Sequence, residues 1–181
     1  MKKIKATLLD AAAIERTIAR LAHEIMERHH DLSRLALVGI QHRGEFLAKR
    51  LASLIENHCK TELKFGTVDV TFHRDDFRTR LSSPEIGPTR IPFGVDDLRI
   101  VLVDDVLYTG RTVRAAMNSL MDFGRPAAVE LAVLVDRGGR ELPIQADYVG
   151  LGRATSVNEH IHVHVAETDE KDEVLLVEYS E

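Results

Sequence analysis

The densest chemistry in the chain lies between Arg99 and Met117, in the stretch RIVLVDDVLYTGRTVRAAM. An apolar run, Ile100 to Val103, reads as a buried parallel strand. Asp104 and Asp105 stand where that strand is expected to end, and Thr109, Gly110, Arg111 and Thr112 form a short turn into an amphipathic helix. In open α/β sheets, ligands bind at the carboxyl ends of strands. A glycine-containing turn at a helix N-terminus offers a phosphate backbone N–H groups and a favourable dipole. The hydroxyls of Thr109 and Thr112 add donors. Two carboxylates repel that phosphate, so they suit neutral hydroxyls, such as the 2- and 3-hydroxyls of a ribose. Acid pair and cradle together describe a site for a ribose 5-phosphate. Two familiar nucleotide fingerprints are absent: there is no GxxxxGK[ST], and no GxGxxG follows a strand.

A second segment, Val38-Gly39-Ile40-Gln41-His42-Arg43-Gly44, repeats the logic. A strand runs into a polar loop between two glycines, and a helix follows. Backbone amides with Arg43 could hold another anionic group, such as a pyrophosphate. Alone, the segment reads equally well as an ordinary strand-to-helix turn.

The elements that must carry these loops follow from periodicity. Asp10 N-caps a helix whose Ile14, Ile18, Leu21, Ile25 and Met26 recur at helical spacing. Strands are expected at Leu35 to Ile40, Leu63 to Phe72, Ala128 to Val135, Asp147 to Gly150, Ile161 to Ala166 and Val174 to Tyr179. Further helices run from about Glu45 to His58 and from Thr112 to about Phe123. Strands alternating with helices imply an α/β fold, a mostly parallel sheet with helices on both faces. Residues 73–97, with three prolines, two glycines and many charges, are too long and polar for a tight connection. They read as a lid or binding loop, or as a surface excursion or subunit contact. The chain reads as one domain over 1–181 with a small C-terminal appendage.

Composition narrows the function classes. With 181 residues, 44% of them hydrophobic and 29% charged, the chain can bury a sizeable core. Its net charge of −5 is unlike that of a dedicated nucleic-acid binder. No apolar run approaches the ~20 residues that span a bilayer, and the basic N-terminus lacks the apolar core of a signal peptide. Cys59 is the only cysteine, which excludes an intrachain disulfide and fits a reducing, cytoplasmic setting.

The stretch Val101-Leu102-Val103-Asp104-Asp105-Val106-Leu107-Tyr108-Thr109-Gly110-Arg111-Thr112-Val113 resembles the phosphoribosyl-pyrophosphate (PRPP) loop of type I phosphoribosyltransferases. Three places are similar to one branch of that family, the pyrimidine-operon attenuation regulators that are also uracil phosphoribosyltransferases. They are Asp69 to Phe77, the motif VDDVLYTGRT itself, and Leu131 to Gly138 through Arg140-Glu141-Leu142-Pro143, with support from Ile18 to Ile25 and Gly124-Arg125-Pro126. The resemblance covers the chain from the first helix to about Ser156. It implies the type I fold with a long flexible loop and a small hood, and the reaction of uracil with PRPP to give UMP and pyrophosphate, with Mg2+ carried on PRPP. Asp104 and Asp105 would then hold the ribose hydroxyls. Gln41, His42, Arg43 and Gly44 would form the pyrophosphate loop. Arg74, Arg78 and Arg80 would close over the substrate, and Asp136, Arg137 and Gly138 would meet the base. A homodimer or larger homo-oligomer is implied as well. Two alternatives stay open: the same chemistry on another base, and a UMP or UTP sensor with little catalysis.

The resemblance also implies binding of a leader RNA, for which Arg20, Arg28 and Arg140 are candidates. Here the chain departs from the pattern. Gly139 stands where a histidine is usual, Gln145 for an arginine and Leu151 for a lysine. Each change removes a cation or a stacking ring, and lost phosphate contacts lower both affinity and salt dependence. Asp136 and Arg137 could alternatively pair with each other at the surface. His160, His162 and His164 alternate with aliphatics, so a strand would put all three on one face. A straight row does not converge as metal ligands do, and a solvated or interfacial face is the simpler reading. His29 and His30 would complement the first helix dipole.

Overall fold

A computed structural model describes residues 2–70 and 89–179. Five strands form a parallel sheet: β2 (Leu35–Ile40), β3 (Lys64–Val68), β4 (Arg99–Leu107), β5 (Ala128–Asp136) and β6 (Tyr148–Gly152), in the order β3-β2-β4-β5-β6. Helices α1 (Ala11–Arg28) and α2 (Arg43–Cys59) lie on one face and α3 (Arg111–Met121) on the other. Strand alternation divides the core between them. Leu35, Leu37, Val101 and Val103 pack under α1 and α2, while Ala36, Val38, Ile40, Ile100 and Leu102 pack under α3. Burial on both faces is why these strands read as unbroken apolar runs.

The order of strands reverses between β2 and β4, so their carboxyl ends flank a topological switch point, where open α/β sheets bind ligands. Register deepens the crevice. β2 pairs with β4 only from Leu35↔Arg99 to Gly39↔Val103, whereas β4 stays paired with β5 as far as Leu107↔Asp136. The strand therefore does not end before Asp104, as expected from sequence. It carries both acids inside β4, beyond the last residue paired with β2.

The second sheet corrects the expected C-terminal appendage. β1 (Lys2–Leu9), β8 (Glu173–Tyr179) and β7 (Glu159–His164) form an antiparallel hood in the order β1-β8-β7, so both ends of the chain build it. Lys5 ties it together through Glu159 at 2.8 Å and Glu178 at 3.3 Å. A four-residue helix, α4 (Ala166–Asp169), follows β7 and takes up Ala166, the last residue of the expected strand. β3 also stops at Val68, short of the expected Phe72. Of residues 73–97, those from Thr89 onward are described; Arg90 bridges Thr67, and the Asp69 amide donates to Thr89 Oγ1 at 3.1 Å. Among the described residues no helix is long and apolar enough to cross a membrane.

Below the sheet, away from the switch point, lies a buried polar cluster. Asp10 caps α1 as expected, its Oδ1 accepting from Ala13 N at 2.7 Å. At the other end of α1, His29 is buried rather than simply facing the dipole. Its Nε2 lies 2.8 Å from Glu130 Oε2, and the Tyr148 hydroxyl donates to the same oxygen at 2.6 Å. Arg28 and Arg99 each approach Glu130 Oε1 to 3.6 Å. Burial raises the Glu130 pKa, but the hydrogen bonds from Tyr148 and His29 and the charges of His29 and Arg28 outweigh it, leaving the group below its ordinary 4.5. A carboxylate depressed on folding stabilises above its unfolded pKa, and that stability is lost as pH falls through the folded value. Glu130→Gln is expected to lower stability at pH 7 by roughly 1–3 kcal/mol. The loss should shrink as pH falls below the ordinary 4.5, as read by urea unfolding across pH. An equal loss at pH 3 and pH 7 would assign the cluster no electrostatic role.

Candidate active site

The β2–α2 turn depends on two glycines. A Cβ on Gly39 would lie 2.5 Å from Glu45 Cα, and one on Gly44 would lie 2.5 Å from the Val103 carbonyl oxygen and 3.1 Å from Asp104 Cα. Backbone meets backbone at both places, so neither contact can be relieved by turning a side chain. The helix consequently begins at Arg43, two residues before the expected Glu45, and its first turn sits against the end of β4. The Gln41–His42 peptide is cis. Gln41 is buried with its amide donating to Val68 O at 2.9 Å, and His42 is exposed. The expected pyrophosphate segment thus lies directly beside the acid pair.

Asp104 and Asp105 are 3% and 6% exposed. Past the end of the β2 pairing, their carboxylates serve their own strand: Asp104 Oδ1 accepts from Asp105 N, and Asp105 Oδ1 from Val106 N, both at 2.9 Å. The turn expected to hold a phosphate follows directly. Gly110, at φ +91°, caps α3 in a left-handed conformation, and its missing Cβ would lie 3.3 Å from Ile144. Only glycine meets both demands without strain. The buried Thr109 accepts from Arg111 N through Oγ1 at 3.2 Å, so the hydroxyl expected to face a phosphate here organises the turn. Helix α3 starts at Arg111, which orients the first amides of the helix toward the crevice end of β4.

The loop after β5 is hooked onto this turn. Arg137 N donates to Leu107 O at 3.1 Å, Glu141 N and Leu142 N donate to Thr109 O at 3.0 and 3.1 Å, and Arg111 pairs with Glu141 at 2.7 Å. Asp136 does not pair with Arg137. Its Oδ2 takes Arg140 at 2.5 Å and its Oδ1 takes Gly138 N at 2.9 Å. Arg137 instead stacks 4.0 Å above the Tyr108 ring and donates to Thr155 Oγ1 and Glu159 O, both at 2.9 Å. The expected base turn therefore joins β4 to the hood, with the Gly138 amide already spent internally.

The hood reaches the other side of the crevice through two arginine clamps that the sequence did not announce. Arg43 grips Asp169 in bidentate fashion, Nε to Oδ2 at 3.0 Å and Nη2 to Oδ1 at 2.8 Å. Two helical turns on, Arg50 grips Glu167 and Asp172. Burial raises the Asp169 pKa, but Arg43, the Val165 amide and the Thr168 hydroxyl hold it down at about 2.

Other expected residues are placed as follows. Arg74, Arg78 and Arg80 lie outside the described residues. Arg20 donates to Val149 O at 3.1 Å and Gly150 O at 2.6 Å, while Arg28 reaches Asp147 at 3.1 Å, so both line the open edge of β6. Their side chains are about half exposed, 47% and 50%. Arg140 is turned inward, onto Ile144 O, Tyr108 O and Asp136. Leu151 packs against the core and Gln145 is exposed. The three histidines of β7 share a face with Tyr179 and Glu173. His162 Nε2 is 3.2 Å from the Tyr179 hydroxyl, and His164 Nδ1 is 2.8 Å from Glu173. Among the described residues no three His, Cys, Asp or Glu side chains form a ligand set.

The five-stranded sheet, switch-point crevice and hood define a class. The chain matches the phosphoribosyl transferase domain family over residues 5–169 and belongs to it. The fold is shared with a hypoxanthine phosphoribosyltransferase of Trypanosoma cruzi (TM-score 0.73, 15% identity, 98% of each chain). It is shared equally with a hypoxanthine-guanine phosphoribosyltransferase from Bacillus anthracis (TM-score 0.70, 17% identity, 96% of this chain and 98% of that one). Within the family the chain belongs with the bifunctional PyrR proteins. It is 47% identical over 181 residues to that of Pelotomaculum thermopropionicum, covering all of both chains. It is 48% identical over 176 residues to that of Bacillus subtilis, covering 96% of this chain and 97% of the relative.

Proposed function

We propose that the chain transfers the ribose 5-phosphate of PRPP to uracil, and that it also acts as a uridine-nucleotide-responsive, RNA-binding regulator of pyrimidine genes. The observation that supports the transferase reading best is the meeting of three features at one switch point: the Gly39–Gly44 turn, the acid pair of β4 and the Gly110 helix start.

In this reading the 5-phosphate sits on the amides at the start of α3, where the helix dipole and Gly110 favour an anion. The ribose hydroxyls displace backbone amides from Asp104 and Asp105. The diphosphate meets Arg43 and the Gln41–Gly44 turn. Uracil lies at the Asp136–Gly138 turn, near the Tyr108–Arg137 stack. The C1–oxygen bond to pyrophosphate breaks, a C1–N1 bond to uracil forms, and the N1 proton is released. Positive charge develops on the ribose, and the residues contribute by position and charge rather than as a nucleophile. Two buried carboxylates are hard oxygen donors of the kind Mg2+ accepts. Carried in on PRPP, the ion would neutralise the leaving diphosphate. Arg74, Arg78 and Arg80 would close over this assembly and exclude water. The working unit is a homodimer or larger assembly in the cytoplasm.

The regulatory reading rests on Arg20 and Arg28, which remain half exposed along one edge despite their internal partners. Arg140 contributes little there, because its guanidinium is folded into its own loop.

Replacing the acids together, Asp104→Asn with Asp105→Asn, should cut kcat/KM for UMP formation by roughly a hundredfold or more, as expected where positioned charge carries the chemistry. Steady-state release of pyrophosphate measures it, and a rate equal to the parent's would remove the acids from the site. For the second activity, Arg20→Ala with Arg28→Ala should weaken UMP-dependent binding of a pyrimidine leader RNA and lower its salt slope by about 2. An unchanged slope in filter binding across a salt series would place the RNA elsewhere.

A further inference from the structure

We propose that Asp169, in the hood, is a positioning residue for the diphosphate end of PRPP: it holds Arg43 by one edge of the guanidinium and so fixes the edge presented to substrate. The inference rests on reading the Gln41–Gly44 turn as the diphosphate end of the site.

The geometry separates two roles for the arginines of α2. Arg43 and Arg50 stand seven residues apart, two helical turns, and so share a face of the helix. Arg50 does the fastening. Its Nε and Nη2 reach Glu167 at 2.9 and 2.6 Å, and its Nη1 and Nη2 reach Asp172, both at 2.8 Å. That guanidinium is engaged on both edges, tying α4 and the following turn to α2. Arg43 is different. Asp169 occupies only the Nε–Nη2 edge, at 3.0 and 2.8 Å, and Nη1 makes no hydrogen bond among the described residues. Arg43 is also the first residue of α2, in the turn that Gly44 presses against β4. A guanidinium carries five N–H donors, and a bidentate carboxylate takes two. The remaining donors belong to the residue that opens α2, in the turn that flanks the switch point.

Asp169 is itself fixed. Its Oδ2 accepts from the Val165 amide at 3.0 Å and from the Thr168 hydroxyl at 2.9 Å. Carboxylate, guanidinium and crevice therefore form a chain with few free torsions. A long arginine side chain normally loses rotamer freedom when it captures an anion; here the ordering precedes binding. The carboxylate is also ionised throughout the neutral range, which keeps the clamp closed at working pH.

The test uses the full chain and three variants: Asp169→Asn, Asp169→Glu and Asp172→Asn. The last loosens the Arg50 clamp, and so the same hood contact, without touching Arg43. Affinity for magnesium pyrophosphate is measured by calorimetry, alongside KM for PRPP and KM for uracil. Asp169→Asn should weaken pyrophosphate affinity and raise KM for PRPP by about tenfold, the loss of one charge-assisted contact. KM for uracil should stay within about twofold, and Asp169→Glu should recover part of the loss. Asp172→Asn should change pyrophosphate affinity less than about twofold. Unchanged pyrophosphate affinity in Asp169→Asn, or an equal loss in Asp172→Asn, overturns the assignment. A parent protein that binds magnesium pyrophosphate but makes no UMP leaves the calorimetric test standing and defeats only the uracil reading. A parent that binds no magnesium pyrophosphate overturns both.

Discussion

Everything at the site depends on how closely the first turn of α2 can approach the end of β4. At Gly44 that approach is backbone to backbone, and at Gly39 β2 meets the same turn at Glu45, with no room for a Cβ at either. Overpacking of even a methyl group typically costs about 1–3 kcal/mol, and here no flexible side chain can yield. The two glycines let Arg43 begin its helix beside Asp104, which converts two separate strand ends into one crevice. The staggered register completes it. β4 runs on beyond its last pairing with β2, so the acids lie on a stretch of strand that β2 does not cover.

The remaining walls are held by hydrogen bonds to that same strand. The Thr109 carbonyl accepts from two amides of the β5–β6 loop, and Leu107 from a third. Tyr108 lies beneath the Arg137 guanidinium, and a Cβ at Gly139 would stand 2.5 Å from its ring. Gly139 thus makes room for the tyrosine. Arg140, bound to the Tyr108 carbonyl and to Asp136, becomes part of the scaffold of this loop. The Thr109–Thr112 turn, the Asp136–Gly138 turn and the hood are thereby joined to one another, and α2 joins the hood from the far side through Arg43 and Arg50.

How much of this was legible in the sequence depends on whether the signal was local. LALVGI and RIVLV announced buried strands because both faces of the sheet are covered, and Asp10 announced a helix start because a cap is a short-range bond. The acid pair, the Gly110 turn and Gly39–Gly44 were legible for the same reason. What escaped was long-range. The strand Lys2–Leu9 does alternate, Lys3-Ile4-Lys5-Ala6, but its partner lies at the other end of the chain, so nothing nearby marked it as an outer strand of a hood. Asp169 meets Arg43 across 126 residues, and no spacing rule reaches that far. His29 was read from its place at a helix end, where the dipole is the local effect, whereas burial against Glu130 and Tyr148 decides its role.

The central claim is that this crevice performs phosphoribosyl transfer to a pyrimidine. The most direct measurement is pyrophosphate release from PRPP and Mg2+ with uracil, hypoxanthine or guanine as the acceptor, each compared with no base. Release that requires uracil, with stoichiometric UMP and little response to the purines, is the predicted result. Release that follows the purines, as the names of the structural neighbours would suggest for those enzymes, or no base-dependent release at all, would contradict it.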